Sequence, residues 1–172
     1  MTGADRSRST EIRGHDRRNP QTMVVCRPIN DGRVTALGVV TMTQYVHCAV
    51  FVWYLDCNGQ RVIDRQYSLA GNTTPFPQGS NAPTAVDDRN AFFQGDGGAN
   101  GVSDWNIPPP PGMTSSQFDG AVTGAGDSYD SGQPYDAKNG PNSNTATNSI
   151  IQNAGGTMPD IPGAWQQHYP NN

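Results

Sequence analysis

The sequence predicts an α+β domain in which a small antiparallel sheet packs on one main helix, with long irregular loops around them. Three observations support this fold class. Residues 46–55 are apolar on both faces of a strand, and Asn58-Gly59 follows as a hairpin turn. Residues 144–154 carry apolar side chains at helical spacing. The 20 glycines and 14 prolines among 172 residues indicate that much of the remaining chain forms loops.

The domain organisation follows from composition. We expect residues 1–21 to be a disordered tail that contains arginines, and residues 22–172 to form a single domain with a loop insertion at 71–139. Acidic residues interrupt the arginines, and the net charge of the chain is −4, so we expect no nucleic-acid partner. The sequence contains no run of about 18 apolar residues, so we expect no membrane span. It also contains no apolar segment near its start of the kind found in signal peptides.

The strands are predicted in order along the chain. Residues 23–26 form a short apolar run that ends at Pro28, and residues 35–44 are expected to be extended because their β-branched side chains and Gly38 disfavour a helix. Residues 46–55 are expected to be a central strand covered on both faces. Residues 60–69 return from the hairpin as a strand that is less buried or nearer an edge.

Residues 71–139 are predicted to lack regular structure, since prolines and glycines interrupt any apolar period. Asp127 and Asp130 resemble part of a calcium loop, but the complete ligand spacing and the closing Glu are missing. We therefore expect neither a metal nor a cofactor.

The main helix has start and stop residues at both ends. Pro141 precedes the cap-type residues Asn142, Ser143 and Asn144, and Gly155 and Gly156 follow the last apolar position. Apolar residues occupy one face, whereas Thr147, Asn148 and Gln152 are expected to point elsewhere. The side chain at the first turn faces free backbone N–H groups and the positive end of the helix dipole.

The number of cysteines, three, is odd, and their placement speaks against a disulfide scaffold. Cys48 and Cys57 lie at opposite ends of one predicted strand, roughly 30 Å apart at the usual strand rise, so they cannot pair. A bond between Cys26 and Cys48 is open if their strands are neighbours, but free buried thiols are the simpler interpretation.

Acyl transfer needs a nucleophile, a base, a group that orients the base and donors for the oxyanion. Ser143 is the candidate nucleophile and His47, near the start of the central strand, the candidate base. Asp64 or Gln66 on the returning strand would orient the imidazole, and register decides between them. Asn142 and Asn144 are candidates for oxyanion or substrate binding. The same Asn-Ser-Asn triplet also suits a simple helix cap.

Several short motifs carry a resemblance to a known superfamily. They are Cys26 to Pro28, the strand that begins Tyr45-Val-His47, the hairpin, residues 67–71, the helix start from Gly140 to Thr145, and Pro162 to Trp165. In this order they resemble the circularly permuted papain-like hydrolases found as small terminal domains of bacterial secreted or polymorphic-toxin proteins. The resemblance implies His47 as base and Ser143 as nucleophile, with Ser in place of the usual Cys.

Two functions follow as hypotheses. The first is a hydrolase or acyl transferase that acts on an amide or ester bond of a protein or peptide-like substrate, in an effector or toxin domain with an immunity or carrier protein as partner. Such a domain is made in the cytoplasm and exported by a system that needs no signal peptide. The second is a non-catalytic structural or protein-binding module of the same fold.

Overall fold

The structure is a computed structural model and describes residues 20–28, 46–69, 103–133, 135–136, 141–164 and 167. This part of the chain forms an α+β fold, as the sequence predicts. Its elements in chain order are β1 (Gln21–Pro28), β2 (Val46–Leu55), β3 (Arg61–Tyr67), β4 (Ser103–Ile107), α1 (Ser115–Ser128) and α2 (Ser143–Asn153). The predicted strand at 35–44 and nearly all of the predicted N-terminal tail lie outside the described residues.

The four strands form one antiparallel sheet in the order β3-β2-β1-β4. β2 has the bounds that the sequence predicts, and it is paired on both sides. β3 lies at one edge of the described sheet, and most of its residues are only partly buried. β1 begins at Gln21, so it extends into the segment predicted as tail.

The sheet is apolar on both faces, as predicted for its central strand. On one face Cys48, Val50 and Val52 join the side chains of both helices in the main core. On the other face Ala49 and Phe51 pack with apolar side chains of β1 in a second cluster. Alternate residues of β2 therefore face opposite sides of the sheet, and both described helices lie on the side of Cys48.

The prediction that residues 71–139 lack regular structure was wrong in two places. β4 pairs with β1, and α1 packs against β1 and α2. The helix starts with a capping box, in which the Thr114 hydroxyl accepts from the Gln117 N–H and the Gln117 side chain accepts from the Thr114 N–H. Three glycines within α1 conceal its helical period, and the sheet contact that stabilises it is not visible in the local sequence.

One of those glycines is required by the packing of α1 on the sheet. A Cβ built at Gly126 would lie 2.5 Å from the Tyr67 ring, so the ring rests directly on the helix backbone. The Tyr67 hydroxyl donates to the Asp127 carboxylate at 2.8 Å and lies 3.2 Å from the Thr123 carbonyl oxygen. These contacts hold the end of β3 against α1.

α2 follows the predicted limits closely. Asn142 caps its start, and Gly155 at φ 84° ends it, with the Gly156 N–H donating to the Ile151 carbonyl. Its polar residues are more buried than expected, since Thr147 and Asn148 are buried as well as the residues of the apolar face. Gln152 and Asn153 are the exposed positions of the helix.

Cys26 and Cys48 are direct partners in the β1–β2 ladder, with Cα atoms 4.1 Å apart, and they form a disulfide. The interpretation of both as free thiols was therefore wrong, and the pairing left open by the sequence is the one that forms. Cys57 is free and exposed near the hairpin turn.

Neither described helix has the length and apolar character that a membrane crossing requires.

Candidate functional site

The first turn of α2 is occupied by its own cap. The Asn142 side-chain oxygen accepts from the backbone N–H groups of Asn144 and Thr145, at 2.9 and 3.2 Å. The Thr145 hydroxyl accepts in turn from the Asn142 N–H at 3.3 Å. Two of the N–H donors that could have faced a developing oxyanion are therefore bound to a side chain of the protein.

Asn144 connects the start of α2 to the central strand. Its side-chain oxygen accepts from the Cys48 N–H at 3.0 Å, and its side-chain nitrogen donates to the Val46 carbonyl at 3.0 Å. The Val46 N–H donates to the Gly163 carbonyl. β3 ends opposite Val50, so Asn144 and Gly163 supply partners to the β2 backbone beyond the end of β3.

Both asparagines assigned by sequence to oxyanion or substrate binding thus make contacts within the domain. Each is at most 4% exposed. Asn142 caps a helix, and Asn144 takes the place of a strand residue. The sequence could not distinguish these two roles from ligand binding. An amide side chain suits helix capping, hydrogen bonding to a strand backbone and ligand binding equally well.

Ser143 is the first residue of α2 and is 3% exposed. Within the described residues its hydroxyl makes one hydrogen bond, at 3.5 Å to the Asn144 side-chain oxygen, which is at the distance limit for such a bond. The helix that carries Ser143 packs on the Cys48 face of the sheet.

His47 lies on the opposite face. It precedes Cys48 in β2, so its side chain points to the side of Ala49 and Phe51, away from the helices. It is 6% exposed, and its Nε2 atom is 3.0 Å from the Ser68 hydroxyl oxygen. Within the described residues, the serine hydroxyl hydrogen-bonded with His47 is therefore that of Ser68 and not that of Ser143, which the sequence paired with it.

The two candidate orienting residues lie farther along β3. The register places Gln66 opposite Phe51. Phe51 follows His47 by four residues in β2, so Gln66 lies roughly 13 Å from His47 along the strand direction at the usual strand rise. Asp64 lies at the irregularity between Val52 and Trp53, farther still from His47, and its carboxylate is 3.9 Å from Arg65. The side-chain hydroxyl 3.0 Å from the His47 imidazole is that of Ser68, and not a group of Asp64 or Gln66.

Ser68 is the residue that the sequence interpretation missed. It follows Tyr67 and precedes Leu69, both of which belong to the core on the helix side, so Ser68 points to the His47 side. It is 1% exposed. The alternation of Tyr67, Ser68 and Leu69 was visible in the sequence, but the strand register that brings Ser68 to His47 was not.

Arg27 lies on the same face, because it is the direct cross-strand partner of His47 in β1. Directly paired residues of neighbouring strands lie on the same face of a sheet, so Arg27 and His47 are cross-strand neighbours. The face of the sheet to which His47 belongs thus holds Ser68 directly after β3, His47 in β2 and Arg27 in β1.

Comparison with known proteins found no matching family model, no matching curated protein and no matching solved structure. The class that the described residues define is an α+β fold, in which they form a four-stranded antiparallel sheet with two helices on one face. Membership in the papain-like superfamily stays a prediction from the short motifs.

Proposed function

We propose that this protein is a serine hydrolase or acyl transferase that acts on an amide or ester bond, with His47 as its base. The observation that carries the proposal is the 3.0 Å contact between His47 Nε2 and the Ser68 hydroxyl oxygen. A hydroxyl within hydrogen-bond reach of an imidazole is the central requirement for nucleophilic catalysis by serine. The resemblance to papain-like toxin domains supports a protein or peptide-like substrate and, with it, an immunity or carrier protein as partner.

The disulfide between Cys26 and Cys48 supports export as part of this proposal. Disulfides persist mainly in oxidising compartments, whereas cytosolic thiols are kept reduced. An effector made in the cytoplasm and then exported would acquire the bond after leaving the cell interior.

A tagged fluorophosphonate tests the proposal, because it phosphonylates serine nucleophiles that a base activates. We expect labelling of the wild type and a decrease in its rate of at least about 100-fold in His47→Gln, which keeps a hydrogen-bonding amide but no base. Ser149→Ala is the matched control, since Ser149 is also buried and its hydroxyl donates to the Thr145 carbonyl within α2. Equal labelling of the wild type and His47→Gln would contradict the proposal.

The alternative is a non-catalytic structural or protein-binding module. The burial of Ser143, Asn144, His47 and Ser68 favours it, because buried polar residues with internal partners often serve only the fold. This alternative predicts no labelling of the folded protein. It also predicts that Ser143→Ala lowers stability slightly and changes no biological activity.

A further inference from the structure

We infer that Ser68, and not Ser143, is the nucleophile, so that the chemistry takes place on the face of the sheet opposite the helices. This inference rests on the proposed function and assigns its reacting atoms. The sequence places the nucleophile at the start of α2, but in the described part of the chain the serine hydroxyl at hydrogen-bond distance from His47 is that of Ser68.

The geometry at Ser68 meets the first requirement of the assignment. When the neutral imidazole carries its hydrogen on Nδ1, Nε2 accepts a hydrogen bond from the Ser68 hydroxyl, and the 3.0 Å separation suits proton transfer. Adjacent secondary structure restrains both side chains, since His47 lies in the central strand and Ser68 directly follows β3. Ser143, by comparison, makes its 3.5 Å hydrogen bond with a neighbouring side chain of its own helix.

Arg27 meets a second requirement. It is paired with His47 across the β1–β2 ladder, so the two residues share the face of the sheet on which the substrate carbonyl would be attacked. A cation near that carbonyl stabilises the negative charge that develops on its oxygen. At the Ser143 end of α2, by comparison, the Asn142 cap occupies the N–H groups of Asn144 and Thr145.

The acyl-transfer step balances with these groups alone. The Ser68 proton moves to His47 Nε2 as the oxygen forms a bond to the carbonyl carbon. When the tetrahedral adduct collapses, the bond to the amine or alcohol breaks and His47 returns the proton to that leaving group. Water or another acceptor then attacks the acyl-serine with His47 again as base, which regenerates the Ser68 hydroxyl.

The pair is closed to solvent, since Ser68 is 1% and His47 6% exposed. Reagents therefore reach it only through local opening of the protein, and we expect slow modification of the native protein. Denatured protein should not react, because the base and the hydroxyl come together only in the folded sheet.

Mass spectrometry of the fluorophosphonate-labelled wild-type protein tests the inference without any substitution. Trypsin cleaves after Arg65, Arg89 and Lys138, so Ser68 and Ser143 fall in the separate peptides 66–89 and 139–172. We expect the adduct in peptide 66–89, with fragmentation assigning it to Ser68 and not to Ser80. In Ser68→Ala we expect the labelling rate to fall by at least about 100-fold, while Ser149→Ala labels as the wild type does.

The outcomes separate this inference from the proposed function. A His47-dependent adduct in peptide 139–172 would overturn the assignment to Ser68 and leave the hydrolase proposal intact. Absence of any His47-dependent adduct would overturn both. Near-ultraviolet circular dichroism of each variant shows whether a loss of labelling comes from a loss of the fold.

Discussion

The Asn144 side chain joins α2 to β2 through two hydrogen bonds to backbone groups that β3 is too short to reach. An alanine at this position would remove that partner from the buried Cys48 N–H and from the partly buried Val46 carbonyl. Unsatisfied buried polar groups are costly, whereas an ordinary surface amide contributes little. The residue is polar and stands at a helix start, yet its main contribution is to the sheet.

We therefore predict that Asn144→Ala lowers the free energy of unfolding by about 3 kcal/mol, since each orphaned group costs about 1–3 kcal/mol. Urea denaturation measures the change. Asn153→Ala is the control, because Asn153 is exposed at the end of the same helix and its replacement should change stability by less than about 0.5 kcal/mol. Similar effects of the two substitutions would show that the hydrogen bonds from Asn144 to β2 do not contribute to stability.

Tyr129 provides a residue whose ionisation reports on the fold. Burial raises the pKa of its hydroxyl to about 12 from the ordinary 10.0, and the Asp130 carboxylate adds to the shift. The folded protein thus holds this proton more tightly than the unfolded chain does. The resulting stabilisation is complete below pH 10, and it is lost as the pH rises towards 12.

We predict that Tyr129→Phe reduces the fall in stability of the protein between pH 10 and 12. Near neutral pH the substitution should be neutral or slightly stabilising, because the Tyr129 hydroxyl is buried without a hydrogen-bond partner in the described part of the chain. Denaturation curves across this pH range in a Cys57→Ser background avoid thiolate exchange with the disulfide. Parallel pH profiles for the two proteins would rule out this role for Tyr129.

The glycines of α1 differ in whether the packing of the helix requires them. Gly126 lies against the Tyr67 ring, whereas a Cβ at Gly120 or Gly124 would meet no atom within 4 Å. The Tyr67 ring cannot easily move aside, because its hydroxyl is hydrogen-bonded to α1 itself. The helix therefore needs a glycine at one position and tolerates glycine at the other two.

We predict that Gly124→Ala raises the free energy of unfolding by about 0.5–1 kcal/mol, which is the difference in helix propensity. Gly126→Ala should lower it by about 1–3 kcal/mol, because the added methyl group must displace the ring. Thermal and urea unfolding measure both changes. If Gly126→Ala were also stabilising, the close contact between α1 and the end of β3 would be refuted.

The disulfide links two neighbouring strands of a sheet that otherwise joins distant parts of the chain. Its cysteines are 22 residues apart in sequence, and the chain-entropy treatment assigns a loop of this length about 3 kcal/mol. The stabilisation acts on the whole domain, because the restraint applies chiefly to the unfolded chain.

We predict that a Cys26→Ala, Cys48→Ala double variant loses about 3 kcal/mol of stability, whereas Cys57→Ser changes stability by less than about 0.5 kcal/mol. Thiol titration of the unreduced, unfolded wild type should detect one thiol, that of Cys57. Detection of three thiols in that sample would show that the bond does not form.

Local patterns in the sequence determined β2, its Asn-Gly hairpin and both ends of α2. These features depend on alternation, turn residues and caps, all of which lie within a few residues of one another. α1 was missed because its glycines weaken the local pattern, and its contact with Tyr67 comes from a strand about sixty residues earlier. The fold class was thus predictable, but the second helix and β4 were not.

The tertiary structure alone decided which side chains meet at the candidate site. Successive residues of a strand face opposite sides of the sheet, so the His47 side chain points away from the face on which α2 packs. The β2–β3 register brings Ser68, and not Asp64 or Gln66, to His47. The β1–β2 register sets Cys26 beside Cys48. The sequence by itself determined that a serine, a histidine and cysteines were present near strand and helix ends. Their pairing depends on contacts between distant segments, which no local pattern encodes.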